Sequence, residues 1–363
     1  MKLGGTIISL LVLLSSITCF QLQICLANEN VVGRPRASAT ITEADKSSAG
    51  VQQDRTFSDP SKLTATVRKS LSIKAQSTSA LPPVPHDGKS HPFTTKNASA
   101  KDGISPVDKY PWSAVGKMFM KFGQKTFVCT ASVIGKNILV TAAHCVHNYG
   151  KTDAGFTDSV MFEPARHGDE KPFGTWVGRE WWIPKAYFDG KDICSKEAKG
   201  IVCENDIAVV VLEKNDNNFI AEKTGQFGFK TDEYGYGTLF DKKVTQITQL
   251  GYPSHNYDGL TMIRTDSLGY QDTPSNVIIG SAQTGGSSGG PWLQNFGMKT
   301  SYTGTTPLAD DDNQVVATTS WGYTSGNVMI QGASRFRRNS IYTIKSNIES
   351  LVDSACSANP GVC

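Results

Sequence analysis

Tyr110 is the first tyrosine or tryptophan in this chain, and all 11 tyrosines and 6 tryptophans of its 363 residues lie from there onward. The means to bury a large core are concentrated in the C-terminal two thirds of the chain. From Tyr110 the apolar residues come in short runs, among them Phe127-Val128, Val133-Ile134, Ile138-Leu139-Val140, Ile207 to Leu212 and Val315-Val316-Ala317, separated by Gly, Asn and Asp turn signals. Many short runs at close spacing predict an all-β barrel or sandwich. Only Asn339 to Ser354 departs from this: Ile341, Ile344, Ile348, Leu351 and Val352 fall at helical spacing behind a cap at Asn339 or Ser340, which predicts one closing helix. Residues 101–363 are long enough for two β subdomains, and they contain no internal repeat.

The preceding stretch, residues 28 to 104, is rich in Ser, Thr, Ala, Lys and Pro. Such a composition buries too little apolar surface to offset its chain entropy. The run Leu81, Pro82, Pro83, Val84, Pro85 and the pair His91-Pro92 read as extended linker. Residues 28–100 are therefore predicted to be a propeptide or a disordered polar segment, and 101–363 the folded domain. Asn97-Ala98-Ser99 is a glycosylation sequon, which makes Asn97 the candidate acceptor. At the start, Lys2 precedes an apolar run from Ile7 to Phe20, followed by Cys25-Leu26-Ala27. This predicts a signal peptide over residues 1–27, cut after Ala27, and a secreted, extracellular product. Ser9, Ser15, Ser16 and Thr18 interrupt the run and argue against an uncleaved anchor, so no membrane association is expected once it is removed.

Of the 8 cysteines, Cys19 and Cys25 would leave with the signal peptide. The six that remain form three local pairs along the chain, so the expected disulfides are Cys129 with Cys145, Cys194 with Cys203, and Cys356 with Cys363. A zinc site would need a close Cys/His quartet, which the spacing does not supply, and no metal is expected. The formal charge of +3 is too small and too dispersed to imply a nucleic-acid partner. Arg335, Arg337 and Arg338 are the densest basic stretch and read as a solvated loop. Trp176, Trp181 and Trp182 read as packing residues rather than a carbohydrate platform.

Three segments carry chemistry. In Val140-Thr141-Ala142-Ala143-His144-Cys145 an apolar strand ends in small residues and presents an imidazole, and a disulfide from Cys145 would fix the ring, as a general base requires. In Asn205-Asp206-Ile207 a carboxylate stands at the entrance of an apolar strand, where it is costly unless paired; an imidazole N–H would satisfy it and set the tautomer of His144. In Thr284-Gly285-Gly286-Ser287-Ser288-Gly289-Gly290-Pro291-Trp292 the glycines permit a sharp turn that presents Ser288 with free amides beside it. The N–H groups of Gly286 and Ser288 are candidates for an oxyanion hole, where each donor contributes about 3–4 kcal/mol. Alone, each segment reads as a strand end, a turn or a flexible loop.

Taken together, Thr-Ala-Ala-His-Cys, the later Asp206 and Gly-x-Ser-Gly-Gly-Pro, in that order, resemble the chymotrypsin-like serine proteases. Tyr110 to Val115 is similar to that family's opening strand, and Ser320-Trp321-Gly322 to the strand that pairs with the substrate backbone. The resemblance implies two antiparallel six-stranded β-barrels, the active site between them, and a C-terminal helix. It implies His144, Asp206 and Ser288 as the triad of an endopeptidase that acts alone on protein or peptide substrates as a monomer, with no cofactor. A secreted binding or adhesion protein that keeps the fold but not the chemistry is the alternative.

Ser287 stands where trypsin carries an aspartate that pairs with a newly freed N-terminus, and no Ile-Val-Gly-Gly start precedes Tyr110. Together with Leu250-Gly251-Tyr252-Pro253, this places the chain nearer the glutamyl endopeptidase-like branch. Ala282 replaces the aspartate at the base of the trypsin P1 pocket, and Thr319 replaces the histidine that glutamyl endopeptidases carry before Ser-Trp-Gly. The P1 preference thus stays open, and Ala282, Gln283, Thr319, Ser320, Trp321 and Gly322 are the candidate substrate-binding residues.

Overall fold

The computed structural model describes residues 28–52, 56–57, 91–98, 106–194, 203–239, 242–255, 259–273, 276–298, 310–323 and 329–363. The signal-peptide reading of residues 1–27 and the proline-rich run 81–85 lie outside them. The N-terminal segment contributes strands β1 (Val31–Pro35), β2 (Thr56–Phe57) and β3 (Phe93–Asn97) and the short helix α1 (Glu43–Ser47).

A first barrel is built from β4 (Val115–Phe122), β5 (Lys125–Gly135), β6 (Ile138–Thr141), β7 (Ser159–Pro164), β8 (Trp176–Pro184) and β9 (Ala208–Leu212). Its order is β8-β7-β4-β5-β6-β9, and pairing of β8 with β9 closes it. After the short strands β10 (Gly228–Phe229) and β11 (Gly237–Leu239), the second contains β12 (Lys242–Gly251), β13 (Ile263–Thr273), β14 (Asn276–Gly280), β15 (Pro291–Gln294), β16 (Gln314–Tyr323) and β17 (Ile330–Arg335), closed by β12 on β13. Closure leaves few unpaired strand edges. The apolar runs read in the sequence fill the interiors: Val133, Leu139, Val140, Val209, Val210 and Val211 are fully buried, as are Trp181 and Trp292. Disulfides join Cys129 to Cys145, Cys194 to Cys203 and Cys356 to Cys363. Among the described residues no helix is long and apolar enough to cross a membrane.

Three expectations need correction. The closing helix, α2, spans Asn347–Ala358 and starts well after Asn339. Asn339 Oδ1 accepts the N–H groups of Ile341 and Tyr342 and closes a turn instead, while Ser346 and Glu349 form a reciprocal cap. Ile348 and Leu351 are fully buried, which contributes about 1.5–3 kcal/mol each, whereas Ile344 is 88% exposed and contributes nothing to hold a longer helix. Arg335 does not lie on a solvated loop: it is buried in β17, donates to the carbonyl of Asp232 at 2.6 Å and covers the Tyr236 ring. Stretches of the polar N-terminal segment are ordered, because β1 pairs with β8 and β3 with β13, and backbone hydrogen bonding compensates for the scarcity of large apolar side chains.

Candidate active site

Antiparallel register assembles the first half of the site. Thr141 at the end of β6 pairs with Ala208 at the start of β9, so residues just after β6 and just before β9 emerge at one end of the barrel. There His144 sits in a tight turn, Ala143–Cys145, anchored through the Cys145 disulfide to β5. Its Nδ1 lies 2.8 Å from Asp206 Oδ2, and its backbone N–H donates to Asp206 Oδ1 at 2.8 Å. Both side chains are buried, at 1% and 0% exposure. Asp206 is in turn held by its neighbour: Asn205 donates through its backbone and side-chain N–H groups to Asp192 at 2.8 and 2.7 Å, and accepts from Asn339 and Asn347. Burial pushes the Asp192 carboxyl up from 3.8 to about 6, although these hydrogen bonds to Asn205 pull the other way.

The second half comes from the other barrel. The β15–β16 pairing sets Gly289 and Gly290 against Thr319, with Gly289 N–H donating to the Thr319 carbonyl and Thr319 N–H to that of Gly290. The next residue, Ser320, donates its hydroxyl to Asp206 Oδ2 at 2.6 Å and so links the barrels at the carboxylate. Ser288 stands at the head of the turn before β15 and is partly exposed. Gly286 and Gly289 take φ of +98° and +77°, which residues with a Cβ rarely adopt. The amides of Ser287, Gly289 and Gly290 are bonded within the site, whereas those of Gly286 and Ser288 have no partner among the described residues. No hydrogen bond joins Ser288 Oγ to His144, a contact that in unliganded enzymes often tightens only around substrate.

Thr130, which no sequence motif singled out, ties the two halves together. Its N–H donates to the Ser288 carbonyl at 2.8 Å, its hydroxyl to the Gly286 carbonyl at 2.9 Å, and it accepts from Tyr252 N–H. Its position directly after Cys129 is the one signal of it that the sequence offers. Ser287, in place of an aspartate, is held by neutral groups: its hydroxyl donates to the Thr284 carbonyl and accepts from Gln331.

Of the candidate substrate-binding residues, Ala282 and Gly322 are partly exposed. Gln283 is buried and donates to Thr265 and to the carbonyls of Gln249 and Ile263. Thr319 bonds Gln249, Trp292 and Gly290, and Trp321 donates to Asn276. These three side chains belong to the packed wall of the second barrel. Asn97 ends the edge strand β3 and is partly exposed. Two clusters have metal-ligand geometry among the described residues, Cys129-His144-Cys145 and Asp192-Cys194-Cys203, but the sulfur atoms of both are spent in disulfides.

The sequence model of the trypsin family matches residues 103–337, more than half of the chain. Among curated proteins, the chain is 24% identical over 212 residues to an extracellular metalloprotease of Bacillus subtilis, with 58% of this chain and 59% of that protein covered. It is 23% identical over 233 residues to a glutamyl endopeptidase of Bacillus licheniformis, with 63% and 65% covered. The aligned part thus spans less than two thirds of either relative. Among solved structures, the protease Anisep from Arthrobacter nicotinovorans superposes with a TM-score of 0.51 at 19% identity, covering 68% of this chain and 96% of that one, a likeness of fold. With the family match running from just ahead of Tyr110 through the Ser288 turn to β17, and both barrels in place, the chain belongs to the trypsin family.

Proposed function

We propose that this chain is a secreted serine endopeptidase, made as a precursor, that cleaves peptide bonds through an acyl-enzyme on Ser288. The observation that carries the reading is the buried His144–Asp206–Ser320 chain of hydrogen bonds beside a turn that leaves Ser288 partly exposed and two amides without a partner among the described residues. In this reading Asp206 holds His144 with Nδ1 protonated, which leaves Nε2 to take the Ser288 proton as Oγ attacks the scissile carbonyl. The Gly286 and Ser288 amides then bind the oxyanion, and His144 returns the proton to the leaving amine. Water activated by the same imidazole releases the acyl group. Secretion is supported by the apolar run after Lys2 and by three disulfides, which persist in oxidising compartments.

The test is a fluorophosphonate probe applied to the secreted protein, followed by peptide mapping. Stoichiometric modification of Ser288, absent in Ser288→Ala with folding intact, is the expected result. Modification at another serine, or none in either the full-length or the processed form, would sink the reading and favour a binding protein on a protease fold.

A further inference from the structure

We propose that the described parts of the N-terminal segment, residues 28–52 and Thr56–Phe57, form a built-in inhibitor that docks on the first barrel and occupies the cleft with its chain direction reversed relative to a substrate. The inference rests on the cleft being the catalytic site and names how that site is regulated.

Docking uses a charged face of the first barrel. On α1, Lys46 Nζ reaches the fully buried Glu163 at 2.7 Å, Asp45 pairs with Lys121 at 3.0 Å, and Glu43 with Lys171 at 3.1 Å. Lys46 is itself 5% exposed and lies over the Phe119 ring. Ile41, just ahead of α1, is buried in a small cluster with Phe119 and Val128, onto which Ala49 and Val51 also pack. A passive tail would not order a short helix around a buried carboxylate of the domain it trails from.

From this anchor the segment proceeds into the cleft. Gly50 donates its N–H to the Thr126 carbonyl at 3.0 Å and accepts from Val128 N–H at 2.9 Å, a parallel bridge on β5. Val51 packs on Gly285, where an added Cβ would lie 3.0 Å from the Val51 Cβ, one residue from the candidate oxyanion donor Gly286. Thr56–Phe57 pairs with Gly322–Tyr323, again parallel. Gly50 is thus tied to the first barrel and Thr56 to the second. The backbone of Gly322–Tyr323, two residues beyond the Asp206-bonded Ser320, is taken by the chain's own strand.

Direction decides what this pairing does. A substrate that offers its carbonyl to the Gly286 and Ser288 amides, with its acyl-side residues along Ser320–Gly322, must run from Gly322 toward Ser320, antiparallel to β16. The segment runs the opposite way. It takes the backbone of Gly322, where a substrate's acyl-side strand would begin, yet cannot place a peptide carbonyl with the polarity required for attack, so it blocks the site without being cut there.

The experiment uses the full chain, with intact mass checked so that only unprocessed protein is scored. Gly50→Pro removes the N–H given to Thr126, at a site where an added side chain meets nothing within 4 Å. Lys46→Glu sets a like charge against Glu163. Both lie outside the span of the family match, and an unchanged main thermal transition verifies the domain. Two readouts are taken: labelling of Ser288 by a small fluorophosphonate, and hydrolysis of fluorescein-labelled casein. Each variant is expected to hydrolyse casein at least about tenfold faster than the unprocessed parent. Equal casein rates with Ser288 labelled in all three proteins would overturn the inhibitor and leave the protease reading intact. Cleavage between Gly50 and Phe57 by the parent itself would overturn the reversed direction. Absence of labelling in every protein would instead defeat the protease reading, and the inhibitor with it.

Discussion

Ser320→Ala tests whether the carboxylate of Asp206 is the joint between the barrels. Asp206 has no solvent exposure and accepts hydrogen bonds from the backbone and ring N–H groups of His144 and from Ser320 Oγ. The substitution deletes one donor to a charge that solvent does not reach. A hydrogen bond to a charged group contributes about 1.5–3 kcal/mol, and a domain of this size loses about 2–4 °C of melting temperature per kcal/mol, so a fall of roughly 3–12 °C is expected. If Ser320 acts only by orienting Asp206, and through it His144, the loss appears in kcat, by about 10–100-fold, with KM nearly constant, since the backbone of β16 is untouched. Thermal denaturation and steady-state hydrolysis of one peptide substrate measure the two effects. A variant that melts normally and keeps its kcat would refute the claim that this bond holds the carboxylate. A raised KM at constant kcat would show that the hydroxyl serves substrate instead.

Two further outcomes concern the same region. Because burial raises Asp192 from 3.8 to about 6 in the folded chain, the folded state binds the extra proton between those values, and the contribution of this carboxyl to stability, full below pH 4, is lost as pH rises through 6. At about 1.4 kcal/mol per pH unit the stability of the parent relative to Asp192→Asn should fall by about 2–3 kcal/mol from pH 4 to 7, read from urea midpoints; a difference independent of pH would count against the burial argument. Gly289→Ala places a methyl 2.0 Å from Thr141 Oγ1 and 2.5 Å from the Thr130 carbonyl, at a φ of +77°. Left-handed strain and overpacking together cost about 3 kcal/mol or more, and fluorophosphonate labelling at Ser288 should be lost; a stable, fully labelled variant would show that the turn has room the geometry denies.

The strands were legible because burial on both faces demands uninterrupted apolar runs: the runs Ile138 to Val140 and Ile207 to Leu212 mark the strands Ile138–Thr141 and Ala208–Leu212. The candidate site residues could be picked out because a presented serine needs glycines around it and a buried carboxylate needs a partner, requirements confined to a few adjacent residues. What escaped the sequence depends on partners far away along the chain. Nothing in the sequence marks Gln249, Ser281 or Gln331 as buried, yet with Thr319, read as a candidate substrate-binding residue, they satisfy one another inside the second barrel. Arg335 looked solvated because its carbonyl acceptor, Asp232, and its aromatic cover, Tyr236, are about a hundred residues away in sequence. The helical period from Ile341 was genuine as a pattern, but Asn339 closes a turn on Ile341 and Tyr342 before a helix can start, and side-chain capping outweighs periodicity there.

Control of the site has to be sought where the full chain differs from a working enzyme, and the nucleophile turn is not that place. In the full chain Ser287 already holds the turn through the Thr284 carbonyl and Gln331, and Thr130 already holds its other side through Gly286 and Ser288. No acidic side chain stands at position 287 to receive an ammonium, so a newly exposed N-terminus has no buried charge to neutralise there and no reason to reorganise the oxyanion amides. What separates the full chain from access to substrate is occupancy: Gly50 on β5, Val51 on Gly285 and Thr56–Phe57 on Gly322–Tyr323. With the nucleophile turn already held in the full chain, filling the cleft is the form of control that the proposed inhibitor supplies. The buried ion pair between Lys46 and Glu163 then acquires a purpose, since it lies outside the cleft and holds the blocking strand in place without touching a residue that chemistry requires.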